Sequence, residues 1–94
     1  MRDDRFEWSE AKARANLSKH GVSFDAGRLV FGDPASIDEV DDRDDYGEER
    51  FLITGMVDRR LLTVAYTERE GRIRIISVRK ATRREQDSYF AQDL

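Results

Sequence analysis

The residues with the clearest chemical potential lie in the second half of the chain. Between Arg59 and Arg84 there are nine basic residues (Arg59, Arg60, Arg69, Arg72, Arg74, Arg79, Lys80, Arg83 and Arg84) and only two acids, Glu68 and Glu70. That stretch carries +7 within a chain of net charge −3, which leaves −10 on the remainder. A guanidinium presents a planar fork that pairs with two phosphate oxygens and stays charged at any working pH. Arg74, Arg79, Lys80 and Arg83 are therefore candidates for holding a phosphate, with Arg79 and Arg83 foremost. The competing reading is ordinary solvated charge along a strand edge and a helix end, with Arg84 serving solubility. A basic surface beside an acidic remainder fits a polyanionic ligand better than the net charge suggests.

Other reactive types are few. His20 is the only histidine, so an acid–base pair of two histidines is excluded within one chain. Its pKa class suits a proton carrier near neutral pH, but before Gly21 it can equally do no more than meet the last carbonyls of a helix. The acidic stretch Asp38–Glu49 places Asp42, Asp44 and Gly47 at the first, third and sixth positions of a calcium loop. Tyr46 at the fifth and Ile53 at the twelfth fail that pattern, which requires glutamate at the end. A solvated hairpin loop is the default, and docking of a basic partner segment at Asp41, Asp42, Asp44 and Asp45 is the functional alternative. No metal site and no cofactor is expected.

These residues need a scaffold, and 94 residues allow one domain, 1–94, with a modest core. Hydrophobic residues make up 38% and charged residues 39%, yet the apolar ones recur in patterned runs, which argues for a folded chain. With no cysteine there is no disulfide scaffold or thiolate site, as suits a reducing compartment. No apolar run approaches the roughly 20 residues of a membrane helix, so a soluble, cytoplasmic protein without membrane partners is expected.

Phe6-Glu7-Trp8 is a short strand candidate. Ser9 caps a first helix running to about His20, and Gly21 ends it. On this helix Ala13 and Leu17 line one side, with Lys12, Asn16, Lys19 and His20 on another. A second helix is predicted from Ser23 to the Gly32-Asp33-Pro34 stop, with Phe24, Ala26, Leu29 and Val30 inward. Strands follow over Ser36–Val40, Arg50–Val57, Leu61–Glu68 and Arg72–Val78, joined closely enough for an antiparallel meander. Leu62, Val64 and Tyr66 share one face of the third of these, while Ile75 and Ile76 conflict unless a bulge intervenes. Thr82 and Glu85 have capping-box spacing at the start of a last helix, which Tyr89 and Phe90 anchor to the sheet. Trp8 and all five phenylalanines are assigned to the core.

Several motifs in order (Lys19-His20-Gly21-Val22-Ser23-Phe24, Val30-Phe31-Gly32-Asp33-Pro34, Gly47-Glu48-Glu49-Arg50-Phe51, Tyr66-Thr67-Glu68-Arg69 and Arg74 to Glu85) resemble the BrnT toxin family over Phe6 to Tyr89. The resemblance implies an α+β, RelE-like fold with an antiparallel sheet packed by two N-terminal helices and a C-terminal helix. It implies a metal-independent endoribonuclease that arrests translation and growth. It further implies a DNA-binding BrnA-like antitoxin that neutralises the toxin, with operator DNA reached only through their complex. Such RNA cleavage needs a base for the 2′-hydroxyl, an acid for the leaving oxygen and cations for the charged transition state. His20, Glu49, Arg79 and Arg83 are the catalytic candidates. Lys19, Arg50, Tyr66, Arg74, Lys80 and Tyr89 are the RNA-binding candidates, the tyrosines by stacking, although Tyr66 also suits the core. The alternative is a non-catalytic nucleic-acid-binding module acting with its antitoxin in operon autorepression.

Overall fold

A computed structural model describes residues 1–92. Five strands form one sheet in the order β1-β5-β4-β3-β2: β1 (Phe6–Glu7), β2 (Ile37–Asp41), β3 (Arg50–Val57), β4 (Arg60–Arg69) and β5 (Arg72–Lys80). Strands β2 to β5 are an antiparallel meander, but β1 lies parallel to β5, pairing Phe6 with Ile73 and Glu7 with Arg74. The sheet is therefore mixed, not antiparallel throughout. The connection from β1 to β5 carries two helices and three strands, so this pairing is set by topology and leaves no local signature.

Alternation along β4 sorts the sheet into two unlike faces. Leu62, Val64 and Tyr66 point to the face covered by α1 (Glu10–His20) and α2 (Phe24–Arg28), where they join Phe6, Trp8, Phe24, Val30, Ile53, Ile75 and Val78 in the core. Thr63 and Thr67 are buried on the opposite face, whose far end is covered by α3 (Arg83–Phe90). The Ile75–Ile76 conflict is resolved by a bulge: Tyr66 pairs with Ile75 and Ala65 with Ser77, leaving Ile76 as the extra residue. Ile75 and Val78 then both reach the core.

The helix caps form as their residues dictate. Ser9 accepts from the Lys12 amide, Ser23 from the Ala26 amide, and Gly21 closes α1 at φ 70 with its N–H on the Leu17 carbonyl. The second helix is shorter than expected. It tightens after Arg28 into a 3-10 turn over Leu29–Gly32, and that change of period turns Leu29 outward, 57% exposed, while Val30 stays buried. Gly27 lets α2 lie directly on β5, because a Cβ there would collide with the Val78 side chain.

Helix α1 also corrects its expected faces. Leu17 is 52% exposed, and buried Asn16 takes the inward position. Its amide nitrogen donates to the carbonyls of Val22 and Val78, and its oxygen accepts from the Val78 N–H at 3.1 Å. Two-residue β1 pairs with β5 only at Ile73 and Arg74, so Asn16 serves as the missing neighbour at Val78. No helix among the described residues is long and apolar enough to cross a membrane.

Candidate active site

The face that carries Thr63 also carries Arg69, Arg72, Arg74 and Arg79 by strand register. At its centre, Arg79 of β5 stands opposite Thr63 of β4 and meets Glu85 in the first turn of α3. Arg79 Nη1 donates to Glu85 Oε1 at 2.7 Å and Nη2 to Oε2 at 3.1 Å, with a further Nη1 bond to the Lys80 carbonyl. Glu85 is buried and also accepts from the Thr63 hydroxyl and the Thr82 amide. Because the single Thr63 hydroxyl proton goes to Glu85, the 2.7 Å contact between Thr54 and Thr63 must be a donation from Thr54. Burial alone would push the Glu85 carboxyl upward; the bonds from Arg79, Thr82 and Thr63 outweigh it and hold the pKa down to about 2.

This pairing uses the outer edge of the guanidinium and leaves its side edge open. Five N–H groups are available, and Glu85 with the Lys80 carbonyl takes three. The Nε–H and one Nη2 hydrogen have no partner among the described residues, and they form the second fork of the same plane. Arg79 can thus be oriented by a carboxylate and still offer two parallel donors to a phosphate. In the sequence Glu85 carries only the signature of a helix cap. A useful signal was present: a capping box turns its carboxylate back toward the N-cap, and here the N-cap lies three residues beyond Arg79.

The remaining candidates are spread around this pair. Arg83 is on the outer side of α3, its side chain 87% exposed, with an i,i+4 bond to Asp87. Arg74 is tied to Glu7 at 2.7 Å. Arg50 lies over the Tyr46 ring at 4.0 Å and pairs with Glu48, which also meets Arg69. Lys80 is exposed at the end of β5. Lys19 is exposed and His20 half-buried at the C-terminus of α1, and neither makes a side-chain hydrogen bond or ion pair among the described residues. Glu49 precedes β3; its carbonyl accepts from Thr67, which pairs with Arg74, and its exposed carboxylate has no partner among the described residues.

Burial corrects the expectations for Tyr66 and Asp41, and a hydroxyl bond engages the half-buried Tyr89. Tyr66 is 4% exposed, stacked on Phe51 and edge-on to Phe31, with its hydroxyl on Asp38, so no ring face is left for a base. Burial and the Asp38 carboxylate raise its pKa. Tyr89 is held by a 2.6 Å bond from its hydroxyl to Asp33, which raises its pKa to about 12 and ties α3 to the turn before β2. Asp41 is buried under Arg43 and Tyr46, and the Arg43 guanidinium lowers its pKa, so it offers nothing to a docking partner. Asp42, Asp44 and Asp45 remain exposed. Among the described residues no group of three or more His, Asp or Glu is arranged to hold a metal ion.

An ion-paired arginine on an open sheet face suits phosphate chemistry without specifying it. The deciding observation is a family model, described as the ribonuclease toxin, BrnT, of type II toxin–antitoxin systems, which matches residues 8–85. The chain belongs to this family. The match begins just after β1, spans β2 to β5 with their turns, and ends on Glu85, so it includes both halves of the Arg79–Glu85 pair. A ribonuclease-toxin family and an antitoxin partner follow from it. Comparison with curated proteins gives no match.

Proposed function

We propose that this chain is a metal-independent endoribonuclease of RelE-like architecture that cleaves RNA in the cytoplasm, stops translation and growth, and is neutralised by a DNA-binding, BrnA-like antitoxin. Operator DNA is reached only through the toxin–antitoxin complex. The observation that supports the chemistry is the open fork of Arg79 beside its bond to Glu85.

Arg79 holds the scissile phosphate and offsets the charge that grows on its oxygens as the 2′-hydroxyl attacks. Glu85 is a positioning residue, because its carboxyl is already committed to four hydrogen bonds. Arg83 supplies a second, mobile cation. Glu49, whose exposed carboxylate has no partner among the described residues, is the base, and His20, which ends the helix bonded through Asn16 to Val78 beside Arg79, is the acid. Lys19, Arg50, Arg74 and Lys80 contact the flanking backbone. Asp42, Asp44 and Asp45 form the docking surface for the antitoxin.

Incubation of the purified protein with RNA in a chelator tests the reading. Cleavage that persists in chelator and is lost in Arg79→Ala is expected. RNA left intact at high protein concentration overturns it and favours a non-catalytic module acting through the antitoxin. Glu49→Gln should remove the acidic limb of the pH–rate profile and His20→Ala the basic limb; an unchanged limb rejects that residue's role.

A further inference from the structure

The β3–β4 hairpin and α3 enclose a cavity of about 250 Å³ beside the Arg79 site. Its apolar lining comes from Met56, Leu61 and Phe90, and its rim carries Arg59, Arg60 and Lys80. No carboxylate lines it. Most arginines elsewhere on the sheet and α3 are ion-paired, but these three cations have no carboxylate within 4.0 Å among the described residues. Phe90 is 67% exposed where the sequence pattern predicts a core anchor. One edge-on contact with Tyr89 holds the ring and leaves a face open.

The hairpin turn adds an independent observation. Val57 pairs with Arg60, so Asp58 and Arg59 are the two central residues, at φ 47 and φ 70. The β4–β5 turn is built the same way from Glu70 and Gly71, at φ 52 and φ 77. Both are type I′ turns, in which glycine is strongly preferred at the second centre. The β4–β5 turn has that glycine; the turn at the cavity holds an arginine in the left-handed region instead. A strained, charged residue kept at such a position points to use of its side chain.

We infer that this cavity is a binding subsite for single-stranded RNA, taking one unstacked base against Phe90 and Leu61 with the adjoining phosphates on Arg59, Arg60 and Lys80. The inference rests on the ribonuclease reading for its ligand. An aromatic platform rimmed by cations is the arrangement that binds single strands without reading sequence. The volume falls below the roughly 300–1,000 Å³ of pockets for drug-sized ligands, which suits one flat group. Lys80 pairs with Leu62, so its side chain leaves β5 on the other side from Arg79, and the two sites meet through the backbone, where the Arg79 guanidinium bonds the Lys80 carbonyl at the cavity's edge.

Fluorescence anisotropy with a short 2′-O-methyl RNA, which binds but is not cleaved through a 2′-hydroxyl, tests the subsite apart from the chemistry. The double variant Arg59→Asn, Arg60→Gln keeps a residue that tolerates the turn, and Phe90→Ala alters an exposed ring, so each should fold. Each is expected to weaken binding about tenfold, and the double variant to flatten the log–log salt dependence by about 1.4, from two lost phosphate contacts on a single strand. Unchanged affinity and salt slope in both variants overturns the subsite. So does unchanged RNA binding with weakened antitoxin binding, which assigns the cavity to the protein partner. Wild-type protein that binds this RNA but cuts no ordinary RNA would sink the nuclease reading and leave the subsite standing; failure to bind any RNA removes the subsite.

Discussion

Two basic regions of the sheet, one around Arg79 and one at the β3–β4 hairpin end, differ in what surrounds their charges. At the centre, Arg79 is paired in plane with Glu85, and the carboxylate is fixed in turn by Thr63 and Thr82. At the hairpin end, Arg59, Arg60 and Lys80 surround an apolar cavity with no carboxylate among its lining residues. The first arrangement gives up net charge for fixed direction; the second keeps charge and mobility. A transition state needs donors already in place, because reorienting them costs free energy when charge develops. A long polyanion held at several points needs net positive potential instead. The contrast accords with chemistry at the centre and grip at the end.

The largest effect should come from breaking the central pair. Glu85→Ala strips the Arg79 guanidinium and the Thr63 hydroxyl of their acceptor and the Thr82 amide of its cap. Loss of one partner from a buried pair costs on the order of 3–5 kcal/mol, whereas Arg60→Gln, at an exposed cation, should stay within about 0.5 kcal/mol. Urea unfolding of both variants measures the difference, and similar values would remove the distinction between the regions. Acid should reproduce the central effect. Because folding lowers the Glu85 pKa from its usual 4.5 to about 2, the stabilisation is complete above 4.5 and is lost as pH falls through about 2. Arg79→Met should shrink that acid-dependent part of the unfolding curve, while Arg60→Gln should leave it in place.

A smaller loss is expected at Asn16, which supports the strand that carries Arg79. Asn16→Leu leaves the N–H and C=O of Val78 and the Val22 carbonyl without the partner they have here. Leaving buried backbone groups unsatisfied costs about 1–3 kcal/mol each, and relaxation toward water should bring the total to about 3 kcal/mol. Hydrogen exchange should show the Val78 amide opening far faster in the variant while amides of β3 are slowed as before. Uniform acceleration across the sheet would mean that Asn16 supports the whole fold instead of the β5 edge.

What could be read from the residues alone follows from the range of the forces involved. Period-two alternation placed Leu62, Val64 and Tyr66 in the core, β3 has its expected limits, and the Thr82–Glu85 box forms as its spacing requires. These are local effects. The features that escaped depend on neighbours distant in sequence: β1 beside β5, Asn16 on Val78, and Phe90 turned away from the core. The site divides in the same way. Arg79 stood out by type and position, but its partner Glu85 was hidden by its role as a cap, and Arg59 and Arg60 were visible only as charge. Tyr66 and Tyr89 drew notice as aromatics, while their hydroxyl bonds to Asp38 and Asp33 needed the tertiary structure.

The smallest change gives the sharpest comparison, because it should move stability and binding in opposite directions. Arg59→Gly removes a side chain from φ 70, where Gly71 already occupies the matching place in the other hairpin turn. Relief of a left-handed non-glycine residue is worth roughly 1–2 kcal/mol, partly offset by the greater freedom of glycine in the unfolded chain, for a net gain of up to about 1 kcal/mol. The same change deletes one cation from the cavity rim, so affinity for single-stranded RNA should fall by a few-fold. Thermal unfolding and anisotropy on one preparation measure both. A more stable protein that binds less RNA is the trade-off expected where strain is retained for function. A more stable protein with unchanged RNA affinity would mean that Arg59 is held in the turn for some other reason, and would leave Arg60 and Lys80 as the cations of the cavity.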